Sequence, residues 1–208
     1  MITSLARIRN IISSALDEEA RSGELRAHYQ ANLPALRKQL LLPDSGAVAA
    51  LMAFVTSYIR SVPAGLRLVT AVSKRQGFYE YAQPFLQVAL DYFLQPPIGI
   101  ANNGAVEALL DEAFLTHRLL EEVNDHHLQH LSRPLLPLDL TEANTIAHHL
   151  LGDATAVRLE SIVQDTASQL LSKEHVWESV RQSAQTGATA TLSTERLYRR
   201  EVRLRLAS

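Results

Sequence analysis

His117, Glu121 and Asn124 are spaced at one helical turn, and an imidazole, a carboxylate and a carboxamide in that order form a ladder on one helix face. A histidine and a glutamate in such reach can share a proton and act as general acid and base near neutral pH. The three are therefore the candidate catalytic residues. With a second imidazole from a facing helix, His117, Glu121 and His149 become a candidate ligand set for a divalent cation. Two other readings of the ladder stay open: a satisfied polar network that fixes helix register, or a face that opens on a water-filled crevice.

What makes the ladder unusual is its position. On a wheel at about 100° per residue, Val106, Leu110, Ala113, Phe114, Leu120, Leu128 and Leu131 form a single apolar stripe, and His117, Glu121 and Asn124 fall in its middle. A carboxylate on a core-facing stripe must find partners or change its protonation. His126 and His130, with Glu122 a turn before His126, could chelate an ion, but they project from the opposite face; His127 lies at the flank. In the next helix His149 shares a face with Glu142, and antiparallel packing across the Pro134–Pro137 loop would carry them toward His117 and Glu121.

Other chemistries are excluded by pattern. No glutamate has a histidine three residues later, so the di-iron carboxylate spacing is absent, as are H-E-x-x-H, the G-x-S-x-G elbow, the Walker A loop and G-x-G-x-x-G. There is no cysteine, which removes thiolate ligands and nucleophiles and favours a reducing, cytoplasmic location. The cofactor is left open: a divalent metal is admissible, and no nucleotide cofactor is expected.

The elements that must position the ladder read as helices almost throughout. In 208 residues, 47% hydrophobic and 20% charged with a net charge of −2, there is enough apolar chain for one sizeable core. The small net charge conceals segregation, because residues 105–194 hold 5 Lys/Arg against 13 Asp/Glu and seven of the eight histidines. A first helix carries Leu5, Ile8, Ile12 and Ala15 on one face and stops at Gly23; a second, 24–41, should kink or split at Pro34. A third, about 46–62, ends at Pro63 and has the look of a central helix, followed by a short one to Lys74. Its apolar run Ala47–Val55 is too short to span a bilayer, which takes about 20 residues, so no membrane insertion is expected.

Aromatics crowd 77–95, and the Pro/Gly/Asn cluster at 96–104 marks a weak internal boundary in one domain. A long helix over 105–131 follows, then one capped near Asp139 and stopped by Gly152, one beginning at Asp153, and one at 172–187. The expected fold is all-α, a single-domain bundle of about seven to nine helices, with a short β-hairpin or a terminal helix at 188–207. Arg196, Arg199, Arg200, Arg203 and Arg205 are the one basic patch, best read as a solvated face lying on the acidic middle. The leading functional expectation is a non-catalytic interaction or regulatory module with a protein partner or a second copy of itself. A helical enzyme or small-ligand or metal binder built on the ladder comes second, and nucleic-acid binding through the arginines third.

Overall fold

The computed structural model describes residues 2–75, 79–96, 105–132, 139–171 and 204–207. Among these residues it is an all-α bundle of seven helices with one two-stranded sheet. In chain order they are α1 (Ile2–Ser22), α2 (Glu24–Gln39), β1 (Leu40–Leu41), α3 (Ala47–Arg75), α4 (Tyr79–Leu94), α5 (Ala105–Leu131), α6 (Thr141–Leu151), α7 (Asp153–Leu171) and β2 (Arg205–Leu206).

Local signals explain most boundaries. Gly23 adopts φ 67°, a left-handed conformation that glycine takes without penalty, and breaks α1 from α2. The Glu19 carboxylate then accepts the free N–H groups of Leu25 and Arg26, both at 3.0 Å, so the last turn of α1 caps the first turn of α2. At the head of α6 the Asp139 side chain takes the Thr141 N–H at 3.0 Å, and Gly152, at φ 78°, ends the helix.

Proline behaves differently from the sequence expectation. Pro34 and Pro63 both lie inside continuous helices, and so does Pro84 in α4. α3 therefore runs from Ala47 to Arg75 instead of ending at residue 62 with a separate helix after it. A proline leaves one carbonyl of its helix without its N–H, but Pro63 sits among the buried residues of α3, where packing of the long apolar face on both sides of it outweighs that loss. α3 is, by length and composition, the one helix among the described residues that could cross a membrane; 56% of its most apolar window is buried inside the bundle.

α5 is the hub. It packs against α1, α3, α4, α6 and α7, while α3, expected at the centre, packs against α1, α2, α4 and α5. Phe114, Leu115 and Leu119 of α5 are fully buried, as are Leu51, Ile59 and Leu66 of α3. Leu128 departs from the apolar stripe and is 44% exposed.

The terminal strand expectation is met with another partner. Arg205–Leu206 pairs antiparallel with Leu40–Leu41, in the register Leu40 to Leu206 and Leu41 to Arg205, and the Ala207 N–H donates to the Gln39 carbonyl at 2.9 Å. The helix expected over 172–187, the segment 188–203 and its four arginines lie outside the described residues; Arg205 is exposed.

Gly65 lies in the interior of α3, and a Cβ there would meet only Leu120 Cδ1, at an ordinary contact distance of 3.8 Å. Gly65→Ala is expected to raise stability by about 0.5–1 kcal/mol, the cost of glycine in a helix interior, as read from the midpoint of urea unfolding.

Candidate functional site

Because α5 is packed on so many sides, its polar residues are forced inward. Asp111, Glu112, Thr116, His117, Glu121 and His127 are all buried. Thr116 Oγ1 donates to the Ala89 carbonyl of α4 at 3.3 Å. His117 and Glu121 draw partners from two other helices as well.

His117, 1% exposed, turns toward α3. Its Nε2 lies 3.2 Å from the Tyr58 carbonyl and 2.9 Å from Ser61 Oγ, which itself donates to the same carbonyl at 2.7 Å. A carbonyl only accepts, so Nε2 carries the hydrogen and Nδ1 is the bare lone pair; no donor reaches Nδ1 among the described residues. Burial lowers the ring's pKa to about 4, against the weaker opposing effects of the Tyr58 carbonyl and the Glu121 charge. At neutral pH it is an uncharged imidazole beside the Tyr58 ring, with ring centres 4.6 Å apart.

Glu121 turns the other way. Its Oε2 accepts from Asn144 Nδ2 of α6 at 2.6 Å and from Arg118 Nη1 one turn back. The Tyr58 hydroxyl donates to Asn144 Oδ1 at 2.7 Å, so Asn144 links α3 to the carboxylate on α5. From Arg118 the chain of charges continues to Glu160 of α7, whose Oε1 is 3.7 Å from Arg118 Nε and 3.3 Å from His148 Nδ1. His148 Nε2 is in turn 3.3 Å from Asp153 Oδ1 at the start of α7. An imidazolium can donate to both carboxylates at once, a neutral ring to one only.

This network fronts a cleft of about 250 Å³ between α5, α6 and α7, lined by Arg118, Glu121, Asn144, His148, His149 and Glu160, with Thr141 and Thr145 at its side. His149 thus reaches Glu121's side of α5, as antiparallel packing of the two helices requires, whereas Glu142 is exposed.

Two sequence expectations change. His117 and Glu121 are not hydrogen-bonded to each other, and each is bonded to a different neighbouring helix. His117, Glu121 and His149 are not assembled as a ligand set either: among the described residues no group of three His, Asp or Glu side chains is placed to hold a metal ion. Asn124 stands at a half-buried edge of α5, and the carboxamide at the centre of the network belongs to Asn144. His126 pairs with Glu122 across one turn at 3.5 Å, at the half-buried surface; the His130 side chain lies outside the described residues, and His127 is buried.

Sequence reasoning also passed over a buried carboxyl pair. Burial raises the Asp111 pKa to about 7 and the Glu112 pKa to about 8, and the neighbouring charges of Glu107 and Asp111 add to the respective shifts. Their adjacency to a predicted core stripe was the available signal.

Both shifts have consequences for stability. For Asp111 and Glu112 the folded state holds protons more tightly than the unfolded chain, so stability is greatest below pH 4 and declines as pH rises toward 8. His117 has the opposite sign, since its lowered pKa makes stability fall as pH drops from 6.5 toward 4. Between pH 6.5 and 8 His117 is silent, and the melting temperature is expected to fall with pH; Glu112→Gln should flatten that slope, measured by calorimetry across the window. Asn144→Ala removes a donor from Glu121 and an acceptor from Tyr58, and is expected to cost about 2–3 kcal/mol in urea unfolding. A loss below about 0.5 kcal/mol would mean that the network contributes little.

Comparison with known protein families, curated proteins and solved structures finds no match for this chain, so its function is argued from the geometry of this site.

Proposed function

We propose that the protein binds a small polar molecule in the cleft between α5, α6 and α7. The observation that carries this reading is that Glu121 and Arg118, bonded to each other on the inward side of α5, face about 250 Å³ of open space instead of packed side chains. That volume lies below the roughly 300–1,000 Å³ of pockets for drug-sized ligands, which suits a molecule of amino-acid size.

The lining selects for a ligand with groups of both signs. Arg118 and the two histidines offer donors, Glu121 and Glu160 offer acceptors, and Thr141 and Thr145 supply hydroxyls. A zwitterion can exchange its own ammonium and carboxylate for the Arg118–Glu121 contact without leaving a charge unpaired, which a singly charged ligand cannot do. Asn144, in the lining, and Tyr58 behind it act as positioning residues that fix the Glu121 carboxylate. No reaction step is assigned, because the neutral His117 lies away from the cleft lining.

A non-catalytic docking module is the competing reading, and the exposed large hydrophobics Leu41, Leu128, Val157 and Leu206 come from four different elements. The deciding experiment is thermal unfolding with free amino acids and small hydroxy acids. Saturation at about 100 times Kd adds about 2.7 kcal/mol, and a shift of several degrees is expected for at least one zwitterion. Thr145→Trp, which fills the cleft from its side, should abolish that shift while leaving the ligand-free melting temperature close to wild type. A flat response across the series overturns ligand binding at this cleft.

A further inference from the structure

A second and larger concavity, about 550 Å³, lies between the end of α1, the start of α2 and the middle of α3, and no residue of the α5–α6–α7 cleft takes part in it. Its volume falls within the roughly 300–1,000 Å³ of small-molecule sites. Leu16, Met52 and Ala53 supply apolar walls, and Ala53 shares a side of α3 with the small residues Ala49, Thr56 and Ser57, where a ligand can approach the helix closely.

Three arginines line the same groove: Arg21 from α1, Arg26 from α2 and Arg60 from α3. All three are exposed, and none is in a salt bridge among the described residues. Arg21 spends only its Nε, on the Asp17 carbonyl at 3.2 Å, which leaves its terminal N–H groups to a ligand. Two carboxylates share the wall, Asp17 and Glu19. Glu19 is occupied, since its two oxygens accept the backbone N–H groups of Leu25 and Arg26. Three arginines from three helices thus line one groove, with Asp17 the one carboxylate of its wall whose side chain has no hydrogen bond or ion pair among the described residues. Planar guanidinium forks match phosphate and carboxylate oxygens in pairs.

We propose that this groove binds a small anionic amphiphile, with a phosphate or carboxylate head between Arg21, Arg26 and Arg60 and a short apolar body on Leu16, Met52 and Ala53. Neither half of the ligand suffices alone. The head gives orientation and the steering of a positive rim, and the body gives the apolar burial that a free inorganic anion lacks.

Isothermal titration of the full chain with octyl phosphate tests this. Saturable binding at one site is expected, with inorganic phosphate and 1-octanol each at least about tenfold weaker, a difference of about 1.4 kcal/mol. Replacing Arg21, Arg26 and Arg60 by Gln should weaken octyl phosphate by more than about tenfold with the circular-dichroism melt unchanged, because the three side chains are exposed. Ala53→Trp, which keeps the arginines and obstructs the apolar wall, should weaken octyl phosphate and leave the weak inorganic phosphate affinity as it was. Asn144→Ala, in the other cleft, should leave octyl phosphate binding intact. Equal affinity of the glutamine variant and the wild type, inorganic phosphate binding as tightly as octyl phosphate, or binding confined to phosphatidic-acid vesicles would each overturn the proposal.

Discussion

A helix packed against five others has little wet surface along its middle, and that constraint governs this molecule. α5 packs against α1, α3, α4, α6 and α7, yet its sequence carries carboxylates and histidines that an ordinary surface helix would hold in water. Each of the buried ones must be bonded by a partner, lose its charge, or open on a cavity. Glu121 is bonded by Asn144 and fronts the cleft, His117 is neutral against the Tyr58 carbonyl, and Asp111 and Glu112 are pushed toward their protonated forms. The helices around α5 are held in register by these demands as well as by apolar packing, since Tyr58 and Asn144 satisfy α5 only when α3 and α6 sit at the right height.

The enclosure also separates the two residues whose spacing first suggested chemistry. One turn apart on α5, His117 and Glu121 diverge because the neighbours on their two sides offer different groups. α3 presents a carbonyl, which calls for a donor, while burial keeps the imidazole neutral; α6 presents an amide N–H, which calls for an acceptor. Pro63 falls one turn beyond Ile59 and cannot donate to its carbonyl, and the turn just before it is where the Tyr58 carbonyl collects both Ser61 and His117.

Helix existence was legible from periodicity and glycine. α5 occupies 105–131 as read, and Gly23 and Gly152 stop helices where their left-handed or extended positive-φ backbone is needed. Proline misled at Pro63, because a local rule about one missing donor takes no account of apolar packing along a long helix. The wheel placed His117 and Glu121 inside correctly and left out Asp111 and Glu112, since it grants a helix a solvent face along its whole length, and α5 has one only toward its C-terminal end. Tyr58, Ser61 and Asn144 were out of reach for another reason. They meet α5 only through tertiary packing, and no spacing along the chain encodes which carboxamide faces Glu121.

The small sheet closes a loop of almost the whole chain. Leu206 pairs with Leu40, and the β2 strand also touches α6, the helix that carries Asn144. A contact between segments so distant in sequence pays its loop-closure entropy late, after the local helices exist. On a ribosome, Leu40, almost fully buried in the finished fold, stays without its strand partner until residues 204–207 emerge. The two-residue clip therefore becomes available only after every described helix has been synthesised, and it adds a backbone link between the α2–α3 junction and the strand that touches α6.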